Sequence, residues 1–240
     1  MFTKISCPDP VRLVGAALLV GGAMGSAVLG QVFTVNLAIP DNSLVGVTSE
    51  QMITGLTAPL ASVSVSLKIS PRDGEPMFNG DIYATLTHES GYAVLLNRVG
   101  RRDGFSSGYG DSGFDITLSD GAAADVHDYR LTLNGSHTVP LSLTDDPAPL
   151  TGLWQPDGRE ATPFTVVGSS TRTALLGSFQ GMDPNGLWTL YVADVSGGGL
   201  AELTEWGLAL TVIPEPGETV ALVGVALGAF AVWHRRRHRV

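Results

Sequence analysis

The sequence predicts an all-β protein whose main body is an antiparallel sandwich. Three observations predict it: apolar and polar residues alternate with a period of two through several short segments, turn formers separate those segments, and no long stretch of the body keeps a helical period. A strand that is apolar on one side must bury that side against a second layer, so two packed sheets are the expected outcome.

The chain opens with an export signal, read as residues 1–30. Lys4 and Arg12 flank a short polar start, and an apolar run follows from Leu13 to Leu29. Val28 and Gly30 stand where a signal peptidase reads small residues, which puts the cut between Gly30 and Gln31; an uncleaved N-terminal anchor is the competing reading. Cys7 is the only cysteine and precedes the apolar run, so the exported body has no cysteine and depends on its core for stability.

The body, residues 31–213, is long enough to form one domain. Alternation places Phe33, Val35, Leu37 and Ile39 on one side of a first strand, and Val63, Val65, Leu67 and Ile69 on one side of another. It recurs in Ile82, Ala84, Leu86; in Phe114, Ile116, Leu118; and in Tyr129, Leu131, Leu133. Near the end it returns in Trp188, Leu190, Val192 and in Trp206, Leu208, Leu210, Val212. Between these runs lie Pro71-Arg72-Asp73-Gly74, Asn79-Gly80-Asp81, Asn134-Gly135 and Asp183-Pro184-Asn185-Gly186, which suit chain reversal. Two stretches, Gly100 to Gly113 and Thr144 to Ser170, read as loops. There is no internal repeat, which excludes a propeller or solenoid.

Charge narrows the partners. Without Lys4, Arg12 and the four tail arginines, the body keeps eight basic residues against twenty acidic ones, a net charge of −12. Nucleic acid, which needs a basic face, is thereby excluded as a partner. The acidic excess fits solubility or calcium. The carboxylates Asp73, Asp81, Asp111, Asp115, Asp120, Asp125 and Asp128 could converge at one end of a sandwich, yet none follows the EF-hand spacing; no other cofactor is expected. His88, His127 and His137 lack metal-ligand spacing.

The segments Gly80 to Gly91, Phe114 to Asp120, Gly152-Leu153-Trp154-Gln155-Pro156, Leu176 to Gly181, Asn185-Gly186-Leu187-Trp188-Thr189-Leu190 and Leu203 to Leu210 resemble the P domain, or Homo B domain. That β-sandwich follows the catalytic domain of subtilisin-like proprotein convertases and occurs in many bacterial exported proteins. The resemblance covers roughly Ile53 to Val212 and implies a jelly-roll-like arrangement. It also implies a second functional reading, an accessory module that stabilises or recruits a separate subtilisin-like protease. The stretch from Pro156 to Leu175 is longer than the pattern, and nothing upstream reads as a catalytic domain. Within the sandwich, Trp188 and Trp206 are expected as core anchors on adjacent late strands, and Asp81 and Asp194 as loop-bonding groups at strand ends. Trp154, in a Pro/Gly-rich stretch, is the candidate ligand contact.

Gly110-Asp111-Ser112-Gly113 matches the start of the nucleophile loop of trypsin-like proteases, but Phe114 follows and no histidine stands in the matching context. A turn into the strand at Phe114 is the stronger reading. Neither a Gly-x-Ser-x-Gly elbow nor His-Glu-x-x-His is present. A serine hydrolase is the third and weakest functional reading, and no catalytic residue is assigned.

The tail, residues 214–240, carries Pro214-Glu215-Pro216, an apolar stretch from Thr219 to Trp233, and arginines 235, 236, 237 and 239. Fifteen residues span about 22 Å as a helix, short of a hydrocarbon core of about 30 Å, so the C-terminal helix is a weak permanent anchor. The arginines favour the cytoplasmic side and leave the body outside. This arrangement resembles the PEP-CTERM sorting signal of exported bacterial envelope proteins. The resemblance implies that an exosortase-like membrane enzyme recognises Pro214, Glu215, Pro216 and the cluster Arg235, Arg236, Arg237, and removes the tail. The expected protein is therefore an exported, non-enzymatic envelope or extracellular-matrix component. It meets signal peptidase and an exosortase in transit, touches the membrane through its tail before processing, and binds a surface polysaccharide or an envelope protein.

Overall fold

The computed structural model describes residues 28–142 and 148–213. The part of the expected export signal before Val28 and the residues expected to act in sorting, Pro214, Glu215, Pro216, Arg235, Arg236 and Arg237, lie outside the described residues. Strands dominate and form two sheets. The first contains β1 (Val28–Ile39), β3 (Leu60–Pro71), β6 (Phe114–Ser119), β7 (Leu150–Trp154) and β9 (Ala201–Val212), in the order β1-β9-β3-β6-β7. The second contains β2 (Val47–Ile53), β4 (Ile82–His88), β5 (Gly91–Asn97) and β8 (Gly186–Asp194), in the order β2-β8-β4-β5.

The alternation in the sequence is the alternation in the fold. Val63, Val65, Leu67 and Ile69 of β3 are buried, and so are Phe114, Ile116 and Leu118 of β6. Trp206 on β9 and Trp188 on β8 are fully buried. They sit in opposite sheets rather than on neighbouring strands, so each anchors one wall of the core. The Trp206 indole N–H crosses the sandwich to donate to Ser49 Oγ on β2 at 2.9 Å, and Trp188 donates to the carbonyl of Pro184 at 3.0 Å. Each buried indole removes about 200 Å² from water, roughly 5 kcal/mol of hydrophobic stabilisation as an upper figure.

Four further expectations are corrected. The segment Tyr129–Asn134 is a helix, α1, and not a strand. A 3-10 turn, Val126–Asp128, leads into it, started by Asp125, whose side chain accepts the His127 N–H. Gly135, at φ 67°, ends it in the left-handed region, and its N–H bonds the Leu131 carbonyl. Tyr129 packs inward while Leu131 and Leu133 stay exposed, so six residues satisfy a period of two without forming a strand. Second, the sandwich is not wholly antiparallel: β7 pairs with β6 in parallel register, Phe114 opposite Leu150 and Leu118 opposite Trp154. Third, the loop expected over 144–170 therefore contains β7. Fourth, Trp154 is buried at the end of that strand, as described below.

The strand β5 was hidden because it does not alternate. Its residues 93–97 are all buried. The chain from Pro156 to Leu175 runs along its free edge, with the N–H groups of Asp157 and Gly158 bonding the carbonyls of Leu95 and Val94, and Val94 N–H bonding Ala174. This covering strap also shields an edge that would otherwise invite pairing with another chain.

Register fixes the two poles of the sandwich. Val28 lies opposite Thr211, and Leu60 opposite Val212, so the first and last described residues leave from one pole. The segments 54–59, 89–90 and 180–185 cap that near pole. The far pole carries segments 40–46, 72–81, 98–113 and 195–200. The expected cut between Gly30 and Gln31 falls within β1, where Gly30 pairs with Ala209 and Gln31 with Leu208.

Candidate functional site

Six of the eight basic residues of the body belong to the far-pole loops, to the crossover that joins β6 to its parallel partner β7 and carries α1, and to the strap: Arg98, Arg101, Arg102, Arg130, Arg159 and Arg172. Arg98, Arg130 and Arg159 are both ion-paired and buried. Arg98 donates to Asp81 at 3.1 Å and to the carbonyl of Gly80 at 2.9 Å. Arg159 bridges Asp157 at 3.2 Å and Asp125 at 2.9 Å, and donates to the carbonyl of Gly168 at 2.7 Å. Arg172 binds the carbonyls of Asp157 and Pro156 at 2.9 and 2.7 Å and the side chain of Gln155 at 3.0 Å.

At the centre of this network, His127 and Asp157 are both fully buried, with Nδ1 2.7 Å from the Asp157 carboxylate. Its Nε2 lies 2.9 Å from the carbonyl of Arg101. Both neighbours are acceptors, so the geometry favours the doubly protonated ring. Burial opposes that charge, but the bond and charge of Asp157 outweigh it and raise the His127 pKa above its ordinary 6.5. Arg159 is likewise desolvated by burial, and the charge of Asp157 outweighs that to hold its pKa above the usual value. The network ties the crossover, the strap and the loop after β5 into one rigid unit.

A second cluster pins the crossover. The Asp111 carboxylate accepts from the Tyr129 hydroxyl and Arg130 Nε, both at 2.6 Å, and from the N–H of Leu141 at 2.8 Å. Burial and the neighbouring Asp111 charge push the Tyr129 phenol well above 10. Beside it, Ser112 is buried, and its Oγ faces the N–H of Met77 at 3.4 Å, while Asn79 holds the N–H and the carbonyl of Gly113. Gly110-Asp111-Ser112-Gly113 is thus a locked turn into β6. His88 is not available to that serine: its ring lies at the near pole, flat on Trp188 at 4.1 Å, with its nitrogens facing the carbonyls of Leu187 and Asp183.

The seven carboxylates weighed as calcium ligands are dispersed. Asp73 pairs with Arg72, Asp81 with Arg98, Asp111 with Arg130, Asp115 with Lys68 and Asp125 with Arg159. Asp120 accepts the N–H groups of Leu176 and Gly177 at 3.1 and 2.6 Å, and Asp128 lies 3.9 Å from His137. Among the described residues no group of three carboxylate, cysteine or histidine side chains is placed to hold a metal ion. Asp194 does the loop work expected of it, accepting the Ser196 N–H at 3.2 Å, whereas Asp81 serves mainly Arg98.

The expected contact residue Trp154 is only 4% exposed. Its indole packs edge-on to Tyr129 with centroids 6.4 Å apart and donates to the carbonyl of Thr151 at 2.9 Å. It is a core residue. The Pro/Gly content around it suggested a loop, but the strand pairing of β7 with β6 turns the indole inward.

The aromatic groups that do reach solvent were not signalled by any motif. Phe105 is 41% exposed and carries the Arg102 guanidinium 4.2 Å above its ring centroid. Phe164, 55% exposed, sits on the strap where its carbonyl accepts from Arg101 at 2.8 Å, with the carbonyl of Pro163 beside it at the same distance. Arg101 is buried with no carboxylate partner among the described residues, and burial together with the like charge of Arg98 lowers its pKa. Adjacent residues Arg101 and Arg102 therefore join the two loops, one holding the strap that bears Phe164, the other stacked on Phe105. A flanking charge repeated beside Gly, Arg102-Asp103-Gly104-Phe105, is the only trace of this in the sequence.

No protein-family model matches the chain, and no curated protein does. Among solved structures, a serine protease of Aeromonas sobria aligns at TM-score 0.43 and 14% identity, covering 79% of this chain and 27% of the protease. The same protease in complex with the chaperone ORF2 aligns at TM-score 0.41 and 13% identity, covering 80% of this chain and 28% of that one. The chain spans less than a third of the length of these structures.

Proposed function

We propose that the protein is an exported, C-terminally sorted envelope or extracellular-matrix component whose jelly-roll-like sandwich, of the P-domain type, binds a partner without catalysis. One observation carries this reading: the side chains suited to chemistry, Ser112, His88, His127 and Asp157, are committed to internal partners, while Arg102, Phe105 and Phe164 stand at the surface on loops made rigid by buried ion pairs. Rigid loops on a sandwich present a contact surface at little ordering cost. Aromatic faces beside a guanidinium suit the apolar faces and carboxylates of an acidic surface polysaccharide. Export of the body, with the arginine-rich tail end held on the cytoplasmic side, delivers that surface to the envelope.

The test is binding of the body, residues 31–213, to polysaccharide from the native envelope. The double variant Arg102→Ala, Phe105→Ala is expected to weaken binding at least tenfold with an unchanged unfolding temperature. Full binding by that variant would overturn the reading.

A further inference from the structure

We propose that, while the tail is inserted in a bilayer, the near pole of the sandwich rests on the lipid surface with Met52, Leu187 and Ile213 as its contact side chains. The inference rests on the reading of residues 219–233 as a membrane segment. Both described ends of the chain leave from this pole, Val28 beside Thr211 and Ile213 just beyond Val212. From Ile213 to Thr219 there are six residue steps, which reach at most about 20 Å when fully extended. A headgroup layer of about 6 Å takes up part of that reach. The shortness of the tether thus keeps the pole within about 14 Å of the surface, and its apolar side chains close the remaining gap.

The surface chemistry of the pole agrees. Met52 pairs with Leu187 on the outer side of the second sheet, and they are 64% and 43% exposed. The patch continues through Leu56, bonded on both its N–H and carbonyl by Asn185, to Pro59, whose carbonyl accepts the Ile213 N–H at 2.9 Å; Ile213 is 46% exposed. Segments 54–59, 89–90 and 180–185 contain no lysine or arginine, whereas Lys68, Arg72, Arg98, Arg101 and Arg102 lie toward the far pole. Exposed Asp183 and Glu89 border the patch and stay among the headgroups. Contact made by apolar side chains and a tether, with no basic residue, is insensitive to salt.

This orientation turns Arg102 and Phe105 away from the membrane.

The experiment uses the full chain with Cys7→Ser, carrying a single cysteine at Leu187→Cys or, at the far pole, at Val45→Cys. Each is labelled with a fluorophore and reconstituted into phosphatidylcholine vesicles bearing a headgroup-attached nitroxide. Vesicle flotation is measured first. The label at 187 is expected to be quenched several-fold more than the label at 45, in low salt and in about 0.5 M salt alike. Flotation with equal quenching overturns this inference and leaves the tail reading standing. A chain that does not float overturns the tail reading, and this inference with it.

Discussion

Asp194→Asn is expected to stabilise the protein at neutral and alkaline pH. The carboxylate sits at the end of β8, 1% exposed. Burial raises its pKa from 3.8 to about 6; the Ser196 N–H lowers it, the charges of Asp81 and Asp41 raise it further, and Arg98 lowers it. A folded-state pKa above the unfolded value contributes stability that is complete below pH 3.8 and is lost as the pH rises through 6. A gap of about two units amounts to a ceiling of about 3 kcal/mol lost at pH 8 and about 0.5 kcal/mol at pH 4. Asparagine keeps an oxygen for the Ser196 N–H and removes the charge. For a domain of this size, the variant should melt about 6–12 °C above the parent at pH 8 and within about 2 °C of it at pH 4. Thermal unfolding of residues 31–213 at the two pH values, followed by circular dichroism, reads this directly. An equal or lower melting temperature at pH 8 would refute the assignment of a burial-strained carboxylate.

Two further substitutions test the rigid frame. Asp157→Asn leaves the buried His127 without its carboxylate and Arg159 with Asp125 alone, and should destabilise by about 3–5 kcal/mol in urea unfolding. It should also flatten the pH dependence that His127 confers, since a raised histidine pKa contributes stability below 6.5 that fades as the pH climbs through the folded value. Trp154→Ala should destabilise by about 3–5 kcal/mol as a core truncation, and polysaccharide binding measured well below the melting temperature should be unaffected; a selective loss of binding would restore it as a contact residue.

Strands with one wet face were readable because burial imposes a period of two on them: β6 shows it at every residue, and β3, β8 and β9 over most of their length. The period failed where another force set the structure. In β5 a strap of chain covers the edge and residues 93–96 are all apolar and buried, so no alternation remains to be read. In α1 a capping aspartate and a left-handed glycine decide the conformation of six residues whose pattern suits a strand equally well. Trp154 was misplaced because its burial depends on the parallel pairing of β7 with β6 across more than thirty residues, which local composition does not encode. The ion pairs that rigidify the far pole were legible only as residue types. Asp125, Asp157, Arg159 and Arg172 meet through tertiary packing, and the pairing of Arg102 with Phe105 is a hairpin contact with no motif of its own.

Directed export of a rigid binding body is the claim on which the rest depends. The intact mass of the protein recovered from its native cell envelope tests it most directly, because one spectrum reads both ends of the chain. The account expects a polypeptide that begins at Gln31 and lacks the apolar and arginine-rich tail. A polypeptide retaining both ends, recovered from the cytosol, would contradict it.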